Sequence, residues 1–109
     1  MDRKLMGQRG EDLACEILKM RGYDILARNY ITKLGEIDII AYKDRVVVFC
    51  EVKTRMAGIY GDGREAVDIK KRYKIRKCAD IFLSITGISY DFCEFHVIEI
   101  TAEHLKNCF

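Results

Sequence analysis

The chain has 109 residues, half of them hydrophobic and a third charged, and 19 Lys and Arg against 17 Asp and Glu leave a formal net charge of +2. That is the length of one small domain, residues 1–109, too apolar for a disordered segment and without the roughly 20-residue apolar run of a membrane helix. Near balance limits general attraction to phosphate backbones, but the total conceals an uneven distribution: residues 64–77 carry a net +5 and residues 80–109 a net −4.

Residues 1–12 are studded with charge and contain no apolar core, so no secretory signal is expected and the expected location is cytoplasmic. Five cysteines, none in a C-x-x-C pair, fit reduced thiols better than a disulfide framework or a zinc site. Cys15, Cys50 and Cys78 read as small core residues.

Along residues 5–20, Leu13, Ala14, Ile17 and Leu18 recur at helical spacing, and Gly22 is placed to stop the helix. Glu11 precedes Cys15 by four residues and Leu18 by seven, which sets a carboxylate on the edge of the apolar stripe. Residues 23–31 and 36–42 flank the turn-like Thr32-Lys33-Leu34-Gly35 and read as a hairpin. Lys43-Asp44 makes a second tight connection into a strand over residues 45–54, whose Val46-Val47-Val48-Phe49-Cys50 is apolar on both faces and therefore central.

Gly58, Gly61 and Gly63 mark a loop containing Tyr60, a candidate for base stacking or an ordinary loop tyrosine. A helix over residues 65–85 is expected to turn Ala66, Val67, Ile69, Tyr73, Ile75, Ala79, Phe82 and Leu83 inward and its basic run outward. A last strand spans residues 92–100, and Thr101 is placed to cap a short helix over residues 102–107. The order is α-β-β-β-α-β plus a short C-terminal helix, an α/β fold with one mixed sheet and helices packed on it.

Strand alternation puts Glu51 and Lys53 on one face and Glu36 and Asp38 on one face, and the tight turn makes their strands antiparallel neighbours. Asp38, Glu51 and Lys53 can thus meet. Two carboxylates at the end of an apolar central strand repel and are costly unless paired or bound to a cation, and a hard oxygen site with few protein ligands suits Mg²⁺ or Mn²⁺. The basic run from Lys70 to Lys77, with Lys70, Lys71 and Lys74 the foremost candidates, is either a solvated helix face or a phosphate contact, and Arg55 either a phosphate contact or a solvated strand end. His96 reads as a strand histidine rather than a general base.

Asp38, twelve intervening residues and Glu51-Val52-Lys53 resemble the PD-(D/E)xK signature of restriction endonucleases and archaeal Holliday junction resolvases. Gly7-x-x-Gly10-Glu11-x-x-Ala14, Gly22-Tyr23, Asn29, Gly35-Glu36-Ile37-Asp38-Ile39-Ile40-Ala41, Phe49-x-Glu51-Val52-Lys53-Thr54-Arg55, Gly61 and Glu65-Ala66-Val67-x-x-x-Lys71 are similar to the YraN-like family of uncharacterised bacterial proteins. The resemblance covers nearly the whole chain. It implies a restriction endonuclease-like core with a metal held by Asp38, Glu51 and the Val52 carbonyl. Lys53 would orient the attacking water, and Glu11 would complete or support the site. The implied reaction is hydrolysis of nucleic-acid phosphodiesters, DNA before RNA, with Mg²⁺ or Mn²⁺ as cofactor. Ile37 stands where the signature has Pro, and this chain contains no Pro.

Two classes of function follow. One is a metal-dependent endonuclease acting on DNA, branched or single-stranded. The other is a nucleic-acid-binding or adaptor module that keeps the nuclease fold without significant catalysis. The small size points to a homodimer or a protein partner for specificity in either case, and no membrane partner is expected.

Overall fold

The computed structural model describes residues 3–56 and 69–102. Tyr60, Ala66 and Val67 lie outside the described residues. The element order is α1 (Arg3–Met20), β1 (Asp24–Thr32), β2 (Gly35–Lys43), β3 (Val46–Met56), α2 (Ile69–Thr86) and β4 (Phe92–Ala102), as the sequence pattern predicts. The four strands form one sheet in the order β1-β2-β3-β4, with β1, β2 and β3 antiparallel and β4 parallel to β3. No described helix is long and apolar enough to cross a membrane.

Local chemistry sets the turns. Gly22, at φ 90°, ends α1: its amide bonds the Lys19 carbonyl at 3.0 Å, and the Tyr23 amide bonds the Leu18 carbonyl at 3.0 Å. This Schellman pair satisfies carbonyls that the helix end would otherwise leave open. The β2–β3 turn falls one residue later than predicted, on Asp44 and Arg45, both at positive φ. Two such residues match the twist of a two-residue hairpin. The strained Arg45 is held by bonds from Nε to Asp91 Oδ1 and from Nη2 to Ser89 Oγ, both at 3.0 Å.

The central strand has a core on each face. On the α1 side Ala14, Cys15 and Leu18 pack with Ile39, Ala41, Val48 and Cys50. On the α2 side Cys78, Ala79 and Phe82 pack with Ile37, Ile40, Val47 and Phe49, and Phe82 meets the rings of Tyr30 and Phe49 edge-on. Full burial of each such aliphatic or aromatic side chain contributes roughly 1.5–3 kcal/mol. Cys15, Cys50 and Cys78 are buried free thiols, as read from the sequence, and burial pushes the Cys50 thiol up to about 12.

The inward stripe of α2 is corrected by the structure. Ile75, Cys78, Ala79, Phe82 and Leu83 reach the sheet, whereas Ile69 and Tyr73 are 85% and 60% exposed. Tyr73 precedes Ile75 by two residues, which on a helix is nearly the opposite side. Its ring lies beneath the Lys77 ammonium instead, 5.3 Å from Nζ. The C-terminal end differs too. Thr101 and Ala102 continue β4 in register with Arg55 and Met56, so Thr101 caps no helix, and residues 103–107 lie outside the described residues.

Candidate functional site

β1 and β2 pair along their length, but both reverse face at the same place. Arg28 pairs with Ile39 and Tyr30 with Ile37. Ile39 packs on the α1 side, and Ile37 and Tyr30 on the α2 side. Strict alternation would put residues two apart on one face. The position between them, occupied by Asn29 and Asp38, is therefore a kink, and Asn29 absorbs it with φ 49°. Asn tolerates that region better than most residues.

The kink opens the sheet beside Asp38. The β2–β3 ladder ends at Ile39 and Cys50. In place of a main-chain partner, the Val52 amide donates to Asp38 Oδ2 at 2.8 Å. Glu51, between Cys50 and Val52, points to the α2 side, where Lys71 Nζ donates to its Oε1. Glu51 Oε2 is buried and has no hydrogen-bond partner among the described residues.

Glu11 reaches this centre from α1, on the opposite face. With its amide nitrogen turned toward the carboxylates, Asn29 donates to Glu11 Oε2 at 3.1 Å and to Glu36 Oε1 at 3.2 Å. Arg28 Nη2 lies 2.7 Å from Asp12 Oδ1 and 3.9 Å from Glu11 Oε2. Burial is the main cause that raises the Asp38 carboxyl above its ordinary value; the Val52 amide opposes it, and Glu36 and Glu51 add to it. Burial also raises Glu11, with Asp38 the next cause. The carboxylates thus feel one another through the kink.

Gly10 explains how α1 comes so close. It is buried, and a Cβ there would stand 1.9 Å from Thr54 Oγ1 and 3.1 Å from Thr54 Cβ. Only a glycine lets this turn of α1 press on the end of β3, which brings the adjacent Glu11 to Asn29.

On the α2 side a cavity of about 550 Å³ opens over Asp38 and Glu51, with Lys71, Arg72, Lys74 and Arg76 along one wall and Phe95 and Val97 on its floor. Lys71 lies one turn before Ile75 and so shares its inward stripe. The basic run is exposed as expected, Lys71 included, and the shared stripe only lets the Lys71 ammonium reach Glu51. Lys70 is exposed, and neither it nor Lys53 is among the described residues lining the cavity. Lys53 is half-buried on β3 in register with Glu99. Arg55 Nε forms an ion pair with Glu99 Oε1 at 3.1 Å. His96 Nε2 lies 3.3 Å from Glu94 Oε1.

Among the described residues, no three His, Cys, Asp or Glu side chains stand close enough to hold a metal ion. Asp38 and Glu51 form a pair, with Glu11 on the far side of Asp38. The hard oxygen donors, the buried unpartnered oxygen of Glu51 and the mutual repulsion around Asp38 are the features a divalent cation would satisfy. The sequence pattern assigns no site role to Glu36 or Phe95, and it offers Arg72 and Arg76 only as part of the basic run. Arg72 and Arg76 flank the Lys71–Ile75 stripe, a spacing signal that could have placed them beside the cavity.

The chain matches the model of the uncharacterised protein family UPF0102 over residues 10–100. It is 41% identical over 100 residues to a UPF0102 protein of Moorella thermoacetica, covering 92% of this chain and 83% of that one. Against a UPF0102 protein of Alkaliphilus oremlandii the identity is 43% over 115 residues, covering 97% and 98% of the two chains. A relative from Caldicellulosiruptor bescii is 41% identical over 109 residues, covering 98% of this chain and 91% of its own. Kink, glycine contact and carboxylate pair all fall inside the matched region, and the chain belongs to UPF0102, the uncharacterised YraN-like family that its motifs resemble.

Proposed function

We propose that this protein is a metal-dependent phosphodiesterase of the PD-(D/E)xK type that hydrolyses nucleic acid, DNA in the first instance. The observation that carries the reading is the buried, unpartnered Glu51 Oε2 beside Asp38, at a gap in the sheet that faces a cationic wall. Asp38, Glu51 and the Val52 carbonyl would hold Mg²⁺ or Mn²⁺. Such an ion supplies Lewis acidity and lowers the pKa of a bound water.

The chain's own groups divide the remaining work. Asp38 is oriented by the Val52 amide, and Glu11 acts through Asp38 by adding negative charge behind it. Lys53, on the same strand face as Glu51, offsets charge at the scissile phosphate and orients the water. Lys71 and Lys74 receive the flanking phosphates, with Lys70 and Arg55 at the margin.

The test incubates purified protein with linear, nicked, flapped and four-way DNA in Mg²⁺ or Mn²⁺, beside Glu51→Gln. Cleavage that requires the metal and disappears in the variant is expected; no metal- and Glu51-dependent cleavage on any substrate overturns the catalytic reading. A second reading, a nucleic-acid-binding module without catalysis, is favoured by one observation: Lys71 already neutralises Glu51. It expects salt-sensitive binding that survives Asp38→Asn without turnover.

A further inference from the structure

Phe95 is a large apolar side chain left 44% exposed on β4, at the edge of the sheet. Core packing alone does not require it there. Its ring lies alongside Phe49, with centroids 5.3 Å apart and planes 25° from parallel. The Arg76 guanidinium stands 5.9 Å from its centroid. Both Phe95 and Arg76 line the cavity that opens over Asp38 and Glu51.

The register places this ring relative to the carboxylates. Phe49 pairs with Phe95 and Glu51 with Val97, so Phe95 sits two residues along the strands from Glu51, roughly 7 Å at the usual rise of a parallel strand. The cavity therefore combines an aromatic floor, a cationic wall of Lys71, Arg72, Lys74 and Arg76, and an acidic end. Cations beside an exposed aromatic ring are the pairing that tracks a phosphate backbone while stacking its bases.

We infer that Phe95, flanked by Arg76, is a stacking platform for an unpaired nucleobase, so the nucleic acid entering this cavity is single-stranded beside the carboxylates. A base within a duplex has its faces covered by its neighbours and offers no free surface to Phe95. The inference rests on the nucleic-acid reading above and narrows its substrate to single-stranded segments.

The experiment measures fluorescence anisotropy of labelled oligo-dT, oligo-rU, an abasic deoxyoligonucleotide and a duplex of equal length, at low salt in EDTA so that nothing is cut. Wild type, Phe95→Leu and Phe95→Trp are compared, with folding checked by circular dichroism. Phe95→Leu weakens oligo-dT binding by about tenfold or more, leaves duplex binding unchanged, and no longer distinguishes oligo-dT from the abasic strand. Because the chain contains no Trp, Phe95→Trp also supplies a sole tryptophan, whose selectively excited fluorescence is quenched as a base stacks on it. Oligo-rU binding shows the same dependence on Phe95, because the ring meets the face of the base and not the sugar.

Undiminished oligo-dT binding by folded Phe95→Leu, or unquenched Phe95→Trp in a bound complex, overturns the platform while leaving the nucleic-acid reading intact. Absence of binding by wild type to every probe overturns both. Loss of a wild-type dimer in Phe95→Leu without loss of oligo-dT binding assigns the ring to a second copy of the chain and overturns the proposal.

Discussion

The Asp38 carboxylate occupies the place of a strand: its Oδ2 accepts the Val52 amide at 2.8 Å where the β2–β3 ladder has stopped. Asp38 thus closes a gap that its own kink creates. Asp38→Ala leaves the Val52 amide without this acceptor, at a cost of about 1–3 kcal/mol. Asp38→Asn keeps an oxygen for the bond while removing a poorly solvated charge, and should be as stable as wild type or more so. Urea denaturation of the two variants separates these outcomes, and equal stability of both would show that the bond contributes nothing. Cleavage is lost in both.

The same burial predicts a pH dependence. Asp38 and Glu11 are both raised in the fold, so each favours folding most below its ordinary carboxylate value and loses that contribution as pH rises through its folded value. Relative to wild type, Asp38→Asn and Glu11→Gln should therefore gain stability as pH rises from 4 to 8 in EDTA. Thermal melts of each variant minus wild type cancel the unrelated surface pairs. A difference that stays flat with pH contradicts the assigned environments.

Much of this arrangement is legible in the residues. Val46 to Cys50 announce a central strand, and the pairing of that strand with the one that carries Asp38 follows from a tight turn. Glu11, set by spacing on the edge of the α1 stripe, is indeed turned toward the sheet. The kink is not legible, because the period-two rule presumes an unbroken ladder, and an Asn permits a positive φ without requiring one. Charge predicts that Lys71 is exposed with the rest of its run, and it is; its contact with Glu51 depends on where α2 sits over the sheet. The placement of Phe95 on an exposed edge depends on where α2 lies, over β2 rather than β4, and that is a tertiary fact.

Lys71 and a cation compete for Glu51. The Lys71 ammonium is bonded to Glu51 Oε1, with the Lys71 side chain 53% exposed. With one partner in solvent and Glu51 17% exposed, the pair contributes about 1 kcal/mol, and Lys71→Ala should tighten Mn²⁺ binding by about fivefold. Glu51→Gln should abolish it. Isothermal titration calorimetry measures both, and unaltered Mn²⁺ affinity in Glu51→Gln would remove Glu51 from the metal site. Lys71→Ala should also weaken oligonucleotide binding and reduce its salt slope by about one.

The two glycines of the first helix make opposite predictions. A Cβ at Gly7 meets nothing within 4 Å, whereas at Gly10 it would stand 1.9 Å from Thr54 Oγ1 and 3.1–3.2 Å from Thr54 Cβ and Cγ2. Gly7→Ala removes a glycine penalty from a helix interior and should stabilise by up to about 1 kcal/mol. Gly10→Ala must push α1 off β3 or rotate Thr54, an overpacking cost of about 1–3 kcal/mol. Because Glu11 is the next residue, the displaced helix also withdraws its carboxylate from Asn29, and cleavage should fall beyond what lost stability explains. Combining Gly10→Ala with Thr54→Ala removes the Oγ1 and Cγ2 contacts and should recover part of both losses. Denaturation midpoints and cleavage rates of the single and paired variants measure that recovery, and its absence would show that Thr54 is not what Gly10 accommodates.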